Sequence, residues 1–202
     1  MKIILLSTPS FRDREIDVAV NLFQMGLEIF HLRKPGFSVQ QTREYLERIP
    51  VAYHSRIILH HHHRLADSFG LMGVHFTESL RIEKSRKIPE IRQQRPRIHL
   101  SASFHNMSDI MLLGSIFDYV FLSPVFDSIS KENYKAAFDP DDLKAFLKSA
   151  PVKVIALGGV EEKRIETVRA LGFDGAAVLG AVWNAENPVN AWLKIKKAAE
   201  AA

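Results

Sequence analysis

The segment Val152-Lys153-Val154-Ile155-Ala156-Leu157-Gly158-Gly159-Val160, carried on through Leu171-Gly172 to Gly175-Ala176-Ala177-Val178-Leu179-Gly180-Ala181, decides the fold. A short apolar run passes through a glycine pair into a charged stretch. There Ile165, Val168 and Leu171 recur at helical spacing. Gly172 follows as a C-terminal stop. A second apolar run comes next and again ends in glycine. The order is strand, turn, helix, strand, turn. Short, unbroken apolar runs are what parallel strands covered on both faces require.

The same period fills the rest of the chain. Apolar runs lie at 3–6, 29–32, 57–59, 73–76, 98–100, 119–122, 152–157 and 176–179. Helical spacing separates them. Val18, Leu22 and Met25 make one such stripe, and Leu143, Phe146 and Leu147 another. The helix after Asp139-Pro140 begins with a proline suited to a first turn. A continuous βα series predicts a closed (β/α)8 TIM barrel of the phosphate-binding type, with 1–202 as one domain. The runner-up is an open doubly wound sheet. That fold carries a glycine-rich turn after its first strand, whereas Ser7-Thr8-Pro9-Ser10 follows the first strand here.

The 202 residues are 47% apolar and 25% charged, ordinary for a globular protein. There is no cysteine, which excludes disulfides and thiolate metal sites. No apolar run approaches the roughly 18 residues of a membrane span, and 1–9 lacks the features of a signal peptide. The expectation is a soluble, cytoplasmic protein. A formal charge of +4 admits anionic partners such as phosphates. The basic residues are scattered and not interleaved with aromatics, so no nucleic-acid partner is expected.

Gly158-Gly159 and Gly180-Ala181 close the seventh and eighth runs. Glycine lets backbone N–H groups approach an anion, and the loops after strands seven and eight of a barrel commonly hold phosphate. Beyond the sixth run, Ser128 and Ser130 flank a position beside Lys131, a combination able to donate several hydrogen bonds to phosphate. Alternation puts His31 and Arg33 on one face of the second strand and Leu32 on the other. A charge at the mouth of a barrel is either functional or structurally paired.

Taken together these segments resemble the thiamine-phosphate synthase family and its relatives, the TenI-type thiazole tautomerases. The resemblance rests on His31-Leu32-Arg33, Gly73-Val74-His75-Phe76, Ser103-Phe104-His105, 118–126 followed by Ser128 and Ser130-Lys131, and Ile155-Ala156-Leu157-Gly158-Gly159-Val160. It implies an enzyme that couples hydroxymethylpyrimidine diphosphate to thiazole phosphate and releases pyrophosphate. It also implies Mg2+. Carried over, Gly158, Gly159, Gly180 and Ala181 hold the thiazole phosphate, with Ser128 and Ser130 lining the phosphate side. Lys131 and Ser103 address the pyrophosphate, and Arg33 contacts the pyrimidine diphosphate.

The departures fall on one half of the site. The family's lysine two places after the arginine is Pro35, with Lys34 one place early. Its Asn-Asp after the third strand is His60-His61, and its second metal carboxylate is Leu80. Mg2+ takes hard oxygen ligands, which these residues do not supply. Glu78 and Asp67 lie near in sequence but do not align. The intact thiazole-phosphate half, and His31 in place of glutamine, are TenI-like. Pro124, where the tautomerases carry histidine, is synthase-like. The alternatives are therefore a TenI-like tautomerase and a non-catalytic barrel that binds thiazole or thiamine phosphate. A homodimer is a further expectation.

The tract His60-His61-His62-His63 follows the third strand. Alternation would aim His60 and His62 one way and His61 and His63 the other. Two imidazoles on one face are too few for a transition metal unless His75 or His31 joins them. No metal ligands are assigned on this reading. His61, at the family's carboxylate position, is expected to act as acid–base or as a cation facing phosphate. His75 and His105 are expected to be structural.

Overall fold

The computed structural model describes residues 1–126 and 138–201. Eight parallel strands close in sequence order into a barrel. They are β1 (Lys2–Leu6), β2 (Ile29–Leu32), β3 (Ile57–Leu59), β4 (Gly73–Phe76), β5 (His99–Phe104), β6 (Tyr119–Leu122), β7 (Lys153–Ala156) and β8 (Gly175–Val178). Closure is made by β1, which pairs Leu6 with His31 on one side and Lys2 with Gly175 on the other. Around the barrel run α1 (Glu15–Gln24), α2 (Val39–Glu47), α3 (Leu65–Ser68), α4 (Glu78–Glu83), α5 (Ile88–Gln94), α6 (Met107–Leu113), α7 (Pro140–Ser149), α8 (Ile165–Leu171), α9 (Gly180–Trp183) and α10 (Pro188–Glu200).

Strand periodicity sorts the core into two layers. Leu5, Phe30, Leu32, Val74, Phe76, Leu100, Val120, Val154 and Val178 point outward and meet the helices. Ile4, Leu6, Ile29, Ile58, Tyr119, Phe121, Ile155 and Ala177 fill the inside. A barrel interior is ordinarily packed with bulky branched residues. The sector from β2 to β5 departs from this, because His31, His75 and Ser101 are fully buried there and His60 nearly so.

Two expectations need correction. The fifth strand runs from His99 to Phe104 rather than over 98–100. Ser101 and Ser103 take inward positions that alternate with outward Leu100, Ala102 and Phe104, so polar residues continue the strand without breaking its period. The stripe of α1 is also rotated from the predicted one. It buries Ile16, Ala19, Leu22 and Phe23, while Met25 is exposed. Glu15 belongs to the buried face because it meets Lys34.

Local chemistry sets the helix ends. Ser38 forms a capping box with Gln41 at the start of α2. Asp139 accepts from the amides of Asp141 and Asp142 at 2.9 and 3.2 Å, with Pro140 in the first turn of α7. The indole of Trp183 on α9 donates to the Leu6 carbonyl at 2.6 Å, tying the last turn of the barrel to the first strand.

Candidate functional site

The C-terminal ends of the strands form the mouth, where the connecting loops of a barrel carry its chemistry. The mouth has two dissimilar halves.

One half is built by β7 and β8, paired through Ala156 and Ala176. Their exits lie side by side. Gly158 and Gly159 have φ of +94° and +66°, a region closed to most side chains. Gly158 is fixed by its neighbours. A Cβ there would meet Pro124 Cα at 2.9 Å, and its carbonyl accepts from the Phe126 amide at 3.2 Å. The β7 turn thus lies directly against the β6 exit. Gly180 opens α9, whose first intrahelical bonds run from Val182 and Trp183 to the Leu179 carbonyl. Among the described residues, the amides of Gly159, Gly180 and Ala181 donate to no backbone carbonyl. Unsatisfied amides at a helix start and a glycine turn form an anion-binding surface. Lys131, Ser128 and Ser130 lie outside the described residues.

The other half is built by β2 to β5. Arg33 leaves β2 half-buried, its amide held by Ser7 Oγ at 2.8 Å. Among the described residues its guanidinium pairs with no carboxylate. Lys34, in contrast, is paired. Its ammonium is buried against the Glu15 carboxylate and donates to the Ser10 carbonyl at 2.7 Å. Glu15 also accepts from the Thr8 amide at 2.7 Å. Burial, only partly offset by Glu15, lowers the Lys34 pKa. This lysine clamps the β1 and β2 exits together and is unavailable to a ligand.

The histidine tract does not alternate. β3 ends at Leu59, and His62 takes a left-handed φ of +55°. His60 points into the barrel. His62 bonds the Phe37 carbonyl at 2.7 Å, and His63 bonds the carbonyls of His60 and His75. His61 stays at the mouth, half-buried, and its Nε2 has no partner. Its pKa is lowered by burial, then by Arg33 and His62. A neutral imidazole follows at neutral pH.

Beneath the mouth, His31 Nδ1 lies 2.9 Å from His60 Nε2, and His31 Nε2 lies 2.6 Å from the Tyr119 hydroxyl. His75 bonds Ser101 Oγ at 2.9 Å through Nδ1 and Ser103 Oγ at 2.8 Å through Nε2. Ser103 thereby links the buried group to the mouth. Burial pushes the His31 pKa down to about 3 and those of His60 and His75 well below the usual value.

Tyr119 and Ser101 were not anticipated. Tyr119 reads as one more apolar strand residue, yet its register partner is Ser101. The i, i+2 serines in His99-Leu100-Ser101-Ala102-Ser103 were the available signal. His105, expected to be structural, is partly exposed. Its Nδ1 bonds the Ser123 carbonyl at 2.7 Å and its Nε2 lies 3.7 Å from Glu78. Leu80 packs against the outer core, and Asp67 pairs with Arg95.

A family model described as thiamine monophosphate synthase matches residues 3–182. The thiamine-phosphate synthase of Geobacillus kaustophilus is 28% identical over 194 residues, covering 92% of this chain and 86% of that one. The thiamine-phosphate synthase of Salinibacter ruber is 40% identical over 81 residues, a match that spans 40% of this chain and 36% of the relative's length. The crystal structure of a thiamine phosphate pyrophosphorylase from Bacteroides thetaiotaomicron aligns with a TM-score of 0.80 at 31% identity, over 99% of this chain and 98% of its own.

Proposed function

Given that the chain belongs to the thiamine monophosphate synthase family, we propose that it joins hydroxymethylpyrimidine diphosphate to thiazole phosphate, giving thiamine phosphate and pyrophosphate. The carbon–oxygen bond at the pyrimidine methylene breaks, and its electron pair leaves on the diphosphate. The thiazole nitrogen lone pair then makes the new carbon–nitrogen bond. The whole chain, 1–202, acts as one barrel domain in this proposal.

The observation that carries it is the pair of adjoining turns at the ends of β7 and β8, where the amides of Gly159, Gly180 and Ala181 donate to no backbone carbonyl among the described residues. These amides hold the thiazole phosphate, and Gly158 sets the turn that presents them. Arg33, unpaired with any described carboxylate, addresses the diphosphate. Oriented donors and fixed charge are what a departing pyrophosphate needs. Ser103 offers a hydroxyl at the edge between the two halves. Neutral His61 donates or accepts a hydrogen bond beside Arg33. Lys131, Ser128 and Ser130 take the pyrophosphate and phosphate contacts that the family resemblance gives them.

The family is generally Mg2+-dependent. The described residues do not fit that ion. Its carboxylate positions are His61 and Leu80, and among the described residues the group able to gather on one ion is made of three histidines. Mg2+ takes oxygen ligands, so no step is derived through it.

The test is to incubate the purified protein with both substrates, with and without Mg2+, and separate the products chromatographically. Thiamine phosphate in either condition supports the proposal. Its absence in both overturns it. Conversion of a thiazole carboxylate phosphate alone would assign the tautomerase reaction instead.

A further inference from the structure

His31 on β2, His60 just past the end of β3 and His75 on β4 meet inside the barrel. Each offers a ring nitrogen, and the three lie within 4.8 Å of one another. All three residues are 2% exposed or less. Nothing in the proposed reaction uses them.

A histidine cluster that serves only packing satisfies its nitrogens by hydrogen bonding. This one does not. His60 Nδ1 is buried and bonded to nothing. Its other nitrogen meets only the imidazole of His31. One nitrogen of each of the other two rings is anchored by a hydroxyl. His31 Nε2 is fixed by the Tyr119 hydroxyl and His75 Nδ1 by Ser101. Metal-ligating histidines characteristically have the far nitrogen held in this way, as His31 and His75 do; the far nitrogen of His60, Nδ1, is not held.

We infer that His31, His60 and His75 form a binding site for a divalent transition metal of the zinc class, inside the barrel and distinct from any Mg2+ site at the mouth. The donor set selects the ion. Three neutral imidazoles without a carboxylate suit zinc, cobalt or nickel and disfavour magnesium. Tetrahedral zinc with Zn–N bonds of about 2.0–2.1 Å sets its nitrogens about 3.3 Å apart. His31 Nδ1 and His60 Nε2 are already 2.9 Å apart. His60 and His75 stack with ring centroids at 4.1 Å and planes at 23°, so one ring turns about its Cβ–Cγ bond to share the ion. Three protein ligands leave a fourth position. Ser103, 2.8 Å from His75 Nε2, lies toward the mouth, where a water or a substrate oxygen could complete the shell.

The experiment uses the untagged full chain, stripped with chelator and titrated with Co2+, read by the visible ligand-field bands of a four-coordinate ion and by bound cobalt after dialysis. One equivalent with such bands is expected. Changes in the outer shell alone weaken metal sites by about 10–100-fold, so His60→Asn, which removes a ligand, should weaken binding by about a hundredfold or more. His62→Asn, which suits a left-handed position, and His99→Ala on the surface should bind as the native chain does. Substoichiometric cobalt, or bands of a six-coordinate ion, overturns the site, and this arm needs no variant. Unchanged affinity in His60→Asn overturns it as well, as does loss in His62→Asn with retention in His60→Asn, which would assign the ion to the surface histidines. None of these outcomes depends on thiamine phosphate formation.

Discussion

Replacing Gly158 by alanine tests the phosphate half of the site through backbone geometry alone. At φ +94° an L-residue pays about 1–2 kcal/mol for the left-handed conformation. The added Cβ would stand 2.9 Å from Pro124 Cα and 3.0 Å from Pro124 Cβ, where carbon atoms prefer about 3.5–4.0 Å. Overpacking of that kind costs about 1–3 kcal/mol. The nearest atom is backbone, so no rotamer change relieves it, and the β7 turn or the β6 exit must shift. The combined cost is about 3 kcal/mol, a large part of the roughly 5–15 kcal/mol that holds a domain together. For a chain of this size that lowers Tm by about 6–12 °C. The shift also withdraws the Gly159 amide, so the affinity for thiazole phosphate should fall by about tenfold or more, equivalent to about 1.4 kcal/mol. Thermal unfolding followed by circular dichroism and titration calorimetry with thiazole phosphate read the two effects. A variant with native Tm and native affinity would refute both the turn geometry and its role. A lowered Tm with native affinity would leave the turn intact as structure and remove it from the phosphate site.

Lys34→Met should destabilise by about 3–5 kcal/mol, because the Glu15 carboxylate is left buried without its cation. Turnover per folded molecule should change little, since the Lys34 ammonium is already held in the ion pair with Glu15; urea unfolding beside a kinetic assay checks both, and a stable but inactive variant would contradict the assignment. Tyr119→Phe removes the hydroxyl 2.6 Å from His31 Nε2 and should cost about 1–3 kcal/mol for the orphaned nitrogen; an unchanged urea midpoint would count against that bond. Acid should weaken the fold well above the carboxylate range. His31 and His63 are pushed down to about 3 and 4, and His60 and His75 are also lowered, all by burial. The unfolded chain takes up these protons near pH 6.5 while the folded one refuses them, so stability is fully present above about pH 6.5 and lost below it. Each such histidine contributes a slope of up to about 1.4 kcal/mol per pH unit. Urea midpoints that stay level from neutrality down to pH 5 would refute the buried neutral cluster.

The barrel was legible because each strand is covered on both faces. An uninterrupted run such as 57–59 or 119–122 needs no tertiary information to be recognised, and four of the eight predicted runs coincide with their strands: β2, β3, β4 and β6. The phosphate half was legible for a similar reason. Glycine at the exit of β7 answers to local backbone conformation, and two of the residues there do have positive φ. The imidazole half was not. His31, His60 and His75 are 29 and 15 residues apart in the chain. Strand period gives the face each side chain takes only while the strand lasts. After Leu59 the backbone turned, and His61 to His63 went three separate ways.

Local sequence therefore determined what local forces control: the eight-unit period, the helix stops and caps, and glycines where the chain must turn at a strand end. Which side chains meet inside the closed ring was decided by tertiary structure alone. Barrel stagger sets β2 beside β3 and β4 beside β5 at a register that no single segment encodes. That register brought three imidazoles and a tyrosine to one point, and it placed Lys34, next to the catalytic candidate Arg33, in a buried ion pair with Glu15. The free energy of those meetings comes from burial and pairing between distant segments, and it exists only once the ring has closed.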